Sequence, residues 1–542
     1  MVSSNALLLL ATMGLAANAA AVPPQPQLQQ AFEIGDYVNE DGSPKMFNVS
    51  PMSNKEHHEC SGHDSYYQDS FRFHWPYFLK PTVKSESLQS KITVDSLNKS
   101  ANALYDIAKK SKKEYGHPTR VIGSKGHSAT LKWIKKRLSK LSYYYDISEQ
   151  DFDAVYGRVK SASITFEDGL PLPDVKGMSL TPGVESFLGH VIEIPNLGCD
   201  LEDFLPLAPI KKNSIALIER GKCPFGEKSK NAKLAGFKSA IIYNNEKHPK
   251  SFSGTLGDNI NSTIATVAIP LQQGEELKAA ILASKNKLYV NYAVDAYVES
   301  ITTTNLIVET KKGDENNVVS LGAHTDGVET GPDINDDGSG TISLLTVAEE
   351  LAGYKINNKV RFMFVAAEEE GLLGSTHYAN SLSPEANNKT RLMMDYDMMA
   401  SPNFQFQVYD ANNIDNPKGS EEIKNLYIDY YVSHGYNYTL IPFDGRSDYV
   451  GFLDVGIPAG GIAAGAEGIN TDNGKVLDKC YHELCDDVSN LNFDAFLVNT
   501  QLIAHSVATY ARDLSDFPLR EAQAEPKTVS NEYKYRGSQL IL

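Results

Sequence analysis

Apolar residues recur with a helical period in two stretches near the start of the chain. In residues 85–113 they are Leu88, Ile92, Leu97, Leu104 and Ile107, and in residues 128–142 they are Leu131, Ile134, Leu138 and Leu141. Recurrence at this spacing predicts amphipathic helices. Residues 143–145, three tyrosines, and 154–166 then read as strands. From about 165 to 290 the texture changes to short β-like runs at 190–194, 214–219, 240–243 and 263–269, punctuated by Gly, Pro and Asn, with one helix-like stretch at 225–235. After residue 300 strand-like and helix-like runs alternate, at 305–310, 318–323, 342–351, 359–366, 372–381 and 391–397. That alternation predicts an α/β fold with a mixed, mostly parallel sheet flanked by helices. Ligands gather outside the carboxyl ends of the strands of such sheets. Residues 20–80, rich in Pro, Gln, Asn and His, show little apolar periodicity, and residues 513–542 read as an irregular, exposed tail.

With 542 residues the chain exceeds one ordinary domain, so two or three are expected. A net charge of −17 argues against nucleic acid or an anionic membrane as partner. Residues 6–17 are apolar and lead into Ala17-Asn18-Ala19, so 1–19 reads as a secretory signal peptide and 20–80 as a pro-segment. No later stretch reaches about 18 uninterrupted apolar residues, so no membrane span is expected after signal removal. Glycosylation sequons at Asn48, Asn98, Asn261, Asn388 and Asn437 fit the same route. Of the five cysteines, Cys199 and Cys223 form one candidate bridge and Cys480 and Cys485 another, which leaves Cys60.

Candidate chemistry sits at the ends of the predicted strands. LGAHTDGVETGPDINDDGSG (residues 321–340) follows a buried-strand pattern and offers His324, Asp326, Asp336 and Asp337. A histidine can ligate a metal through one ring nitrogen while a nearby carboxylate fixes its orientation through the other. KVRFMFVAA (359–367) ends at Glu368-Glu369-Glu370, and three adjacent carboxylates at a buried strand end repel one another unless cations neutralise them. Asp395 and Asp397 in RLMMDYDMMA share one strand face, because side chains alternate with period two. CYHELCDD (480–487) holds His482 beside Tyr481 in a small loop. Two histidines and several carboxylates so placed suit two divalent metals.

The order His-x-Asp, Asn-Asp-Asp-Gly, Glu-Glu, Asp, Tyr-His resembles the cocatalytic two-zinc aminopeptidase family. IALIERGKCPFGEKSKNAKLAGFKSAIIYNNE (215–246) resembles a protease-associated domain, which in that family is a lid or substrate-access module without catalytic residues. The resemblance implies a zinc exopeptidase fold, discontinuous over 80–165 and 290–512, with a β-rich protease-associated domain inserted at 165–290. It implies two Zn²⁺ per chain. Asp336 would bridge them, His324 and Asp397 would complete one site, and Glu369 and His482 the other. Asp326 would orient His324, Glu368 would be the general base, and Tyr481 would hydrogen-bond the tetrahedral intermediate. GLLGS after the triple glutamate sets this register. The implied activity is hydrolysis of the N-terminal peptide bond of peptides with a free N-terminus. A monomer is expected, in the secretory pathway, with the vacuole favoured and secretion the alternative. A carboxypeptidase or dipeptidase of the same superfamily is the rival reading, with Arg446 in GRSDY as candidate partner for a terminal carboxylate. A non-catalytic receptor-like homologue is another. A serine hydrolase is disfavoured, since no G-x-S-x-G elbow accompanies a fitting His and Asp set.

Overall fold

The computed structural model describes residues 76–207, 210–247, 250–257, 260–521 and 534–542. The signal peptide, nearly all of the pro-segment, Cys60 and the Asn48 sequon lie outside the described residues. No described helix is long and apolar enough to cross a membrane.

Three neighbouring parallel strands form the centre: Thr390–Tyr396, Asp314–His324 and Asn358–Val365. Their sequences are near-continuous apolar runs because helices cover both faces, as parallel sheets require. Alternate residues serve opposite cores. Val319, Leu321, Val360, Phe362 and Leu392 join one cluster with Leu104, Leu345 and Ile503 from the helices Val94–Ala108, Gly338–Leu351 and Phe493–Arg512. Met363, Val365 and Met393 face the other way, against Tyr378, Tyr449 and Phe452. Each such side chain, fully buried, contributes about 2 kcal/mol through lost water contact.

Beyond Asn358–Val365 the sheet continues antiparallel into Tyr289–Thr310, then through Val184–Glu193, Ser214–Glu219, Ser239–Tyr243 and Ala265–Ile269. Tyr145–Phe166 pairs antiparallel with Tyr289–Thr310, from Tyr145↔Thr310 to Phe166↔Val290. Each strand has 22 residues, so the ribbon reaches about 70 Å. The chain thus leaves the central sheet at Tyr145, enters the β-rich region after Phe166, and returns along the partner strand. That region has its own core of Val191, Ile215, Leu217, Ile241, Val267 and Leu277.

Three expectations need correction. Residues 154–166 are not a separate strand but the end of Tyr145–Phe166, and Tyr143 and Tyr144 precede it. The mostly polar residues 146–153 hid the start of the strand because most of its side chains there are exposed or half-buried, Phe152 excepted. A helix, Leu271–Ala283, joins Phe225–Leu234 in the β-rich region; its buried stripe is only Gln273, Gly274, Leu277 and Ile281, too narrow to announce itself. The final residues are not an irregular, exposed tail: Tyr535–Arg536 and Gln539–Leu540 form a hairpin packed on the molecule.

Candidate metal centre

The parallel register aligns three carboxyl ends at one edge, with His324 opposite Val365 and Asp395 opposite Gly322. His324 ends its strand, Glu368 and Glu369 follow Val365, and Asp397 follows Tyr396. Asp336 arrives on the loop before Gly338–Leu351. Asp337 caps that helix by accepting from Gly340 N at 2.8 Å. It also accepts from His324 N and Met398 N, each at 3.1 Å, so one carboxylate ties the loop to two strand ends. The predicted bridges Cys199–Cys223 and Cys480–Cys485 are both present, and the second closes the short loop that carries His482 at φ +59°.

These elements bring together every predicted metal-site residue. Asp336 Oδ1 lies 3.2 Å from His324 Nε2, and Asp336 Oδ2 lies 3.0 Å from His482 Nε2. Glu369 Oε2 is 3.3 Å from His482 Nε2. Asp397 Oδ1 and Glu368 Oε2 are 3.7 and 3.9 Å from His324 Nε2. Two compact donor groups result: His324, Glu368 and Asp397, and Asp336, Glu369 and His482. Asp326 Oδ1 faces the other nitrogen of His324 at 3.8 Å, and its carboxylate accepts from the Glu368 and Glu369 amides at 3.4 Å each. Glu370 belongs to neither group. Tyr481 stacks on the His482 ring, 3.9 Å between centroids.

A metal fits this donor set. Both ring nitrogens of His324, His482 Nε2, Glu368 Oε1, Glu369 Oε1 and Asp397 Oδ1 are buried without a hydrogen-bond partner. Orphaned buried polar atoms cost about 1–3 kcal/mol each, and here they converge. Imidazole nitrogen with carboxylate oxygen is a donor combination that zinc takes.

The electrostatics agree. Burial alone would lower the His324 pKa, yet Glu368, Asp336 and Asp397 hold it well above the ordinary range. His482 is raised in the same way by Glu369 and Asp336 against burial. Burial acts to raise Asp336, but the two histidines win and depress it. Glu368 is pushed well up by burial, with Glu369 and Asp397 adding to the shift and His324 opposing it. Asp326 rises to about 6, chiefly by burial.

The site also uses residues that the sequence did not mark. Arg120 is fully buried, and its guanidinium donates to the carbonyls of Thr325, Pro332 (3.0 Å), Asp333 and Asp336 (3.3 Å). Asp486 accepts from the Asn335 and Asp336 amides at 3.0–3.1 Å. Ser447 donates to Asp397 Oδ2 at 3.0 Å. Asp486 and Ser447 stood in motifs already singled out; nothing near Arg120 signals a buried cation. Arg120→Leu strands several carbonyls and is expected to cost on the order of 3 kcal/mol. Urea denaturation checks this, and a midpoint equal to that of the parent contradicts it.

A cavity of about 190 Å³ opens beside the centre. Its lining includes the carboxylates Asp336, Glu368 and Asp397 together with Arg446, Glu467 and Tyr481. Arg446 is paired with Glu467 at 2.8 Å.

Comparison with known proteins bears on this geometry. Residues 305–507 match the Peptidase family M28 model, and residues 186–277 match the PA domain model. Aminopeptidase Y of Saccharomyces cerevisiae is 55% identical over 479 residues, 86% of this chain and 89% of that protein. The solved aminopeptidase from Aneurinibacillus sp. strain AM-1 superposes with a TM-score of 0.67 at 24% identity, covering 81% of this chain and 99% of that one. BSAP, a zinc aminopeptidase from Bacillus subtilis, superposes with a TM-score of 0.57 at 23% identity, over 80% and 98%. At such identities the two structures speak for the fold, while the yeast relative, matched along nearly its whole length, settles membership: the chain belongs to peptidase family M28 and carries a PA domain ahead of the M28 match.

Proposed function

We propose that this chain removes N-terminal residues from peptides with a free α-amino group, with two zinc ions sharing Asp336 and with Glu368 as general base. The metallo-aminopeptidase class follows from M28 membership and from the 55% identity to an aminopeptidase. The observation that carries the two-metal reading is the placement of Asp336. Its two oxygens face two histidines at 3.2 and 3.0 Å, with unpartnered donors on either side.

In this reading His324 and Asp397 serve one ion, and Glu369 and His482 the other. Zinc, when bound, polarises the scissile carbonyl and lowers the pKa of water. Glu368 takes the proton of the attacking water on its carboxylate and delivers it to the leaving amine. Its Oε2 is 3.9 Å from His324 Nε2, against 3.2 Å for Asp336 and 3.7 Å for Asp397, and its Oε1 is buried without a hydrogen-bond partner. Tyr481, whose hydroxyl burial holds well above its usual pKa, keeps its proton and donates to the developing oxyanion. Asp326 orients His324 from behind. The excess of carboxylates favours a substrate ammonium group. Arg446, the candidate for a terminal carboxylate, already has Glu467, which favours amino- over carboxypeptidase action.

Residues 80–165 and 290–512 form the catalytic domain in this proposal and 165–290 the inserted one, a division supported by the paired strands through which the chain leaves and returns. A secretory route, to vacuole or medium, fits the two disulfides and the exposure of Asn98, Asn261, Asn388 and Asn437, the four sequon asparagines among the described residues. The deciding experiment counts zinc by elemental analysis and assays an aminoacyl anilide beside its N-acetylated twin. About two zincs per chain, cleavage of the free amine alone and loss in chelator are expected. Cleavage of blocked peptides from the other end would instead establish a carboxypeptidase, and little metal with no turnover a binding protein.

A further inference from the structure

Residues Lys534–Leu542, the last nine of the sequence, return to the metal centre. The hairpin turns at Gly537, whose φ is +62° and whose amide donates to Gly445 O at 3.1 Å. A Cβ added at Gly537 would sit 2.8 Å from Glu368 O and 2.9 Å from Glu368 Oε1, so the backbone there lies against the Glu368 carboxylate. The Ser538 hydroxyl donates to Glu369 Oε2 at 2.8 Å, the oxygen that also faces His482. From this point the segment runs on to the region matched by the PA model. Leu540 O accepts from Thr255 N at 2.9 Å, Ile541 O from Phe225 N at 2.9 Å, and Leu542 O from Arg220 Nε at 3.0 Å. A cavity of about 700 Å³ lies alongside, bounded by Arg220, Phe252, Tyr481, His482 and Leu540.

We propose that Lys534–Leu542 is an internal occupant of a peptide groove that runs from Glu368 and Glu369 to Arg220, and that it competes with substrate for this groove. The inference rests on the reading of Glu368 and Glu369 as the reaction centre. Two physical facts carry it. First, a general base must stand within about 3 Å of the proton it takes, and the Gly537 backbone lies so close that an added Cβ would come within 2.9 Å of Glu368 Oε1, so a substrate seated there displaces the segment. Second, beyond the catalytic carboxylates three main-chain carbonyls of the segment accept from two backbone amides and one guanidinium, while the Leu540 side chain packs against the apolar cluster that holds Phe225 and Phe252. Such donors read any peptide backbone and ignore side chains. A substrate of several residues, with its scissile bond at Glu368, finds the same donors for the residues on its leaving side.

A segment on the same chain meets its site at an effective concentration of about millimolar order. An intrinsic dissociation constant of about 100 µM would then leave about one site in ten open. Competition of this kind raises KM and leaves kcat alone.

Two measurements test the proposal. Gly537→Glu in the full chain sets a side chain and a second charge against Glu368, so the segment should leave its place. KM for a tripeptide should fall about tenfold with kcat unchanged. In parallel, a peptide KYRGSQLIL with the label on its α-amino group, which blocks cleavage from that end, is titrated into a chain ending at Glu521, with binding read by fluorescence anisotropy. Saturable binding is expected, abolished by Gly537→Glu in the peptide and weakened about tenfold by Arg220→Ala in the protein. The binding arm needs no turnover. Bound peptide with no cleavage of any free-amine substrate would therefore remove the aminopeptidase reading and keep the groove. An unchanged or raised KM in Gly537→Glu, or a folded truncated chain that ignores the peptide, overturns the proposal. If the truncated chain does not fold, the Gly537→Glu result decides.

Discussion

Glu368→Gln is expected to yield a folded, metal-loaded protein whose kcat has fallen by about 10³-fold, the usual contribution of a positioned general base. The substitution keeps the shape of the side chain and removes its capacity to accept a proton. It should not harm the fold. The folded state favours the protonated form of Glu368, because burial and then Glu369 and Asp397 raise its pKa. In the metal-free protein this acid binds more protons folded than unfolded, so stability is lost as pH rises above the ordinary carboxylate range. Glutamine removes that loss. The metal-free variant should therefore melt at pH 8 no lower than its parent. Glu370→Gln is the control, since Glu370 belongs to neither donor group, and its kcat should stay near that of the parent. The checks are kcat on an aminoacyl anilide, zinc content and a thermal melt. Parent-like turnover in folded, loaded Glu368→Gln would remove the base assignment.

The triple glutamate also shows where sequence reading stops. His324, Asp397 and the glutamates were legible because each stands at the end of an apolar run, and parallel strands carry such ends to one edge. Composition cannot choose two of three adjacent glutamates. The GLLGS spacing pointed to Glu368 and Glu369, and in space the Asp326 carboxylate, accepting from both of their amides, fixes which two face the histidines. Arg120 was illegible for a different reason. Its partners are main-chain carbonyls more than 200 positions away, and carbonyls carry no sequence identity. The closing hairpin fails on length, since two-residue strands have no period to detect, and its contacts with Glu369 and Phe225 span 169 and more positions. Local periodicity therefore found the scaffold and the strand-end ligands. What it missed either had too weak a local period, as in Leu271–Ala283, or was held by long-range contacts such as those of Arg120 and Ser538.

Asp336→Ala should have the second large effect, loss of both metals rather than one. His324→Ala and His482→Ala each dismantle a single donor group, so each should leave the other ion in place. Asp336 faces both histidines, and no other side chain does so at bonding distance among the described residues. The loop should survive the change, because Asp486 holds the amide of residue 336 and Arg120 its carbonyl, and neither contact uses the side chain. The variant thus tests the site and not the fold. Zinc polarisation and charge stabilisation supply several kcal/mol of barrier lowering, so kcat/KM should fall by about 10³-fold or more. Zinc counted after desalting should drop from about two per chain to well under one, against about one for either histidine variant. If Asp336→Ala retains one tightly held ion, its carboxylate belongs to a single site and the second oxygen only steadies a histidine. The shared-ligand reading would then give way to two unequal sites, one of them independent of Asp336.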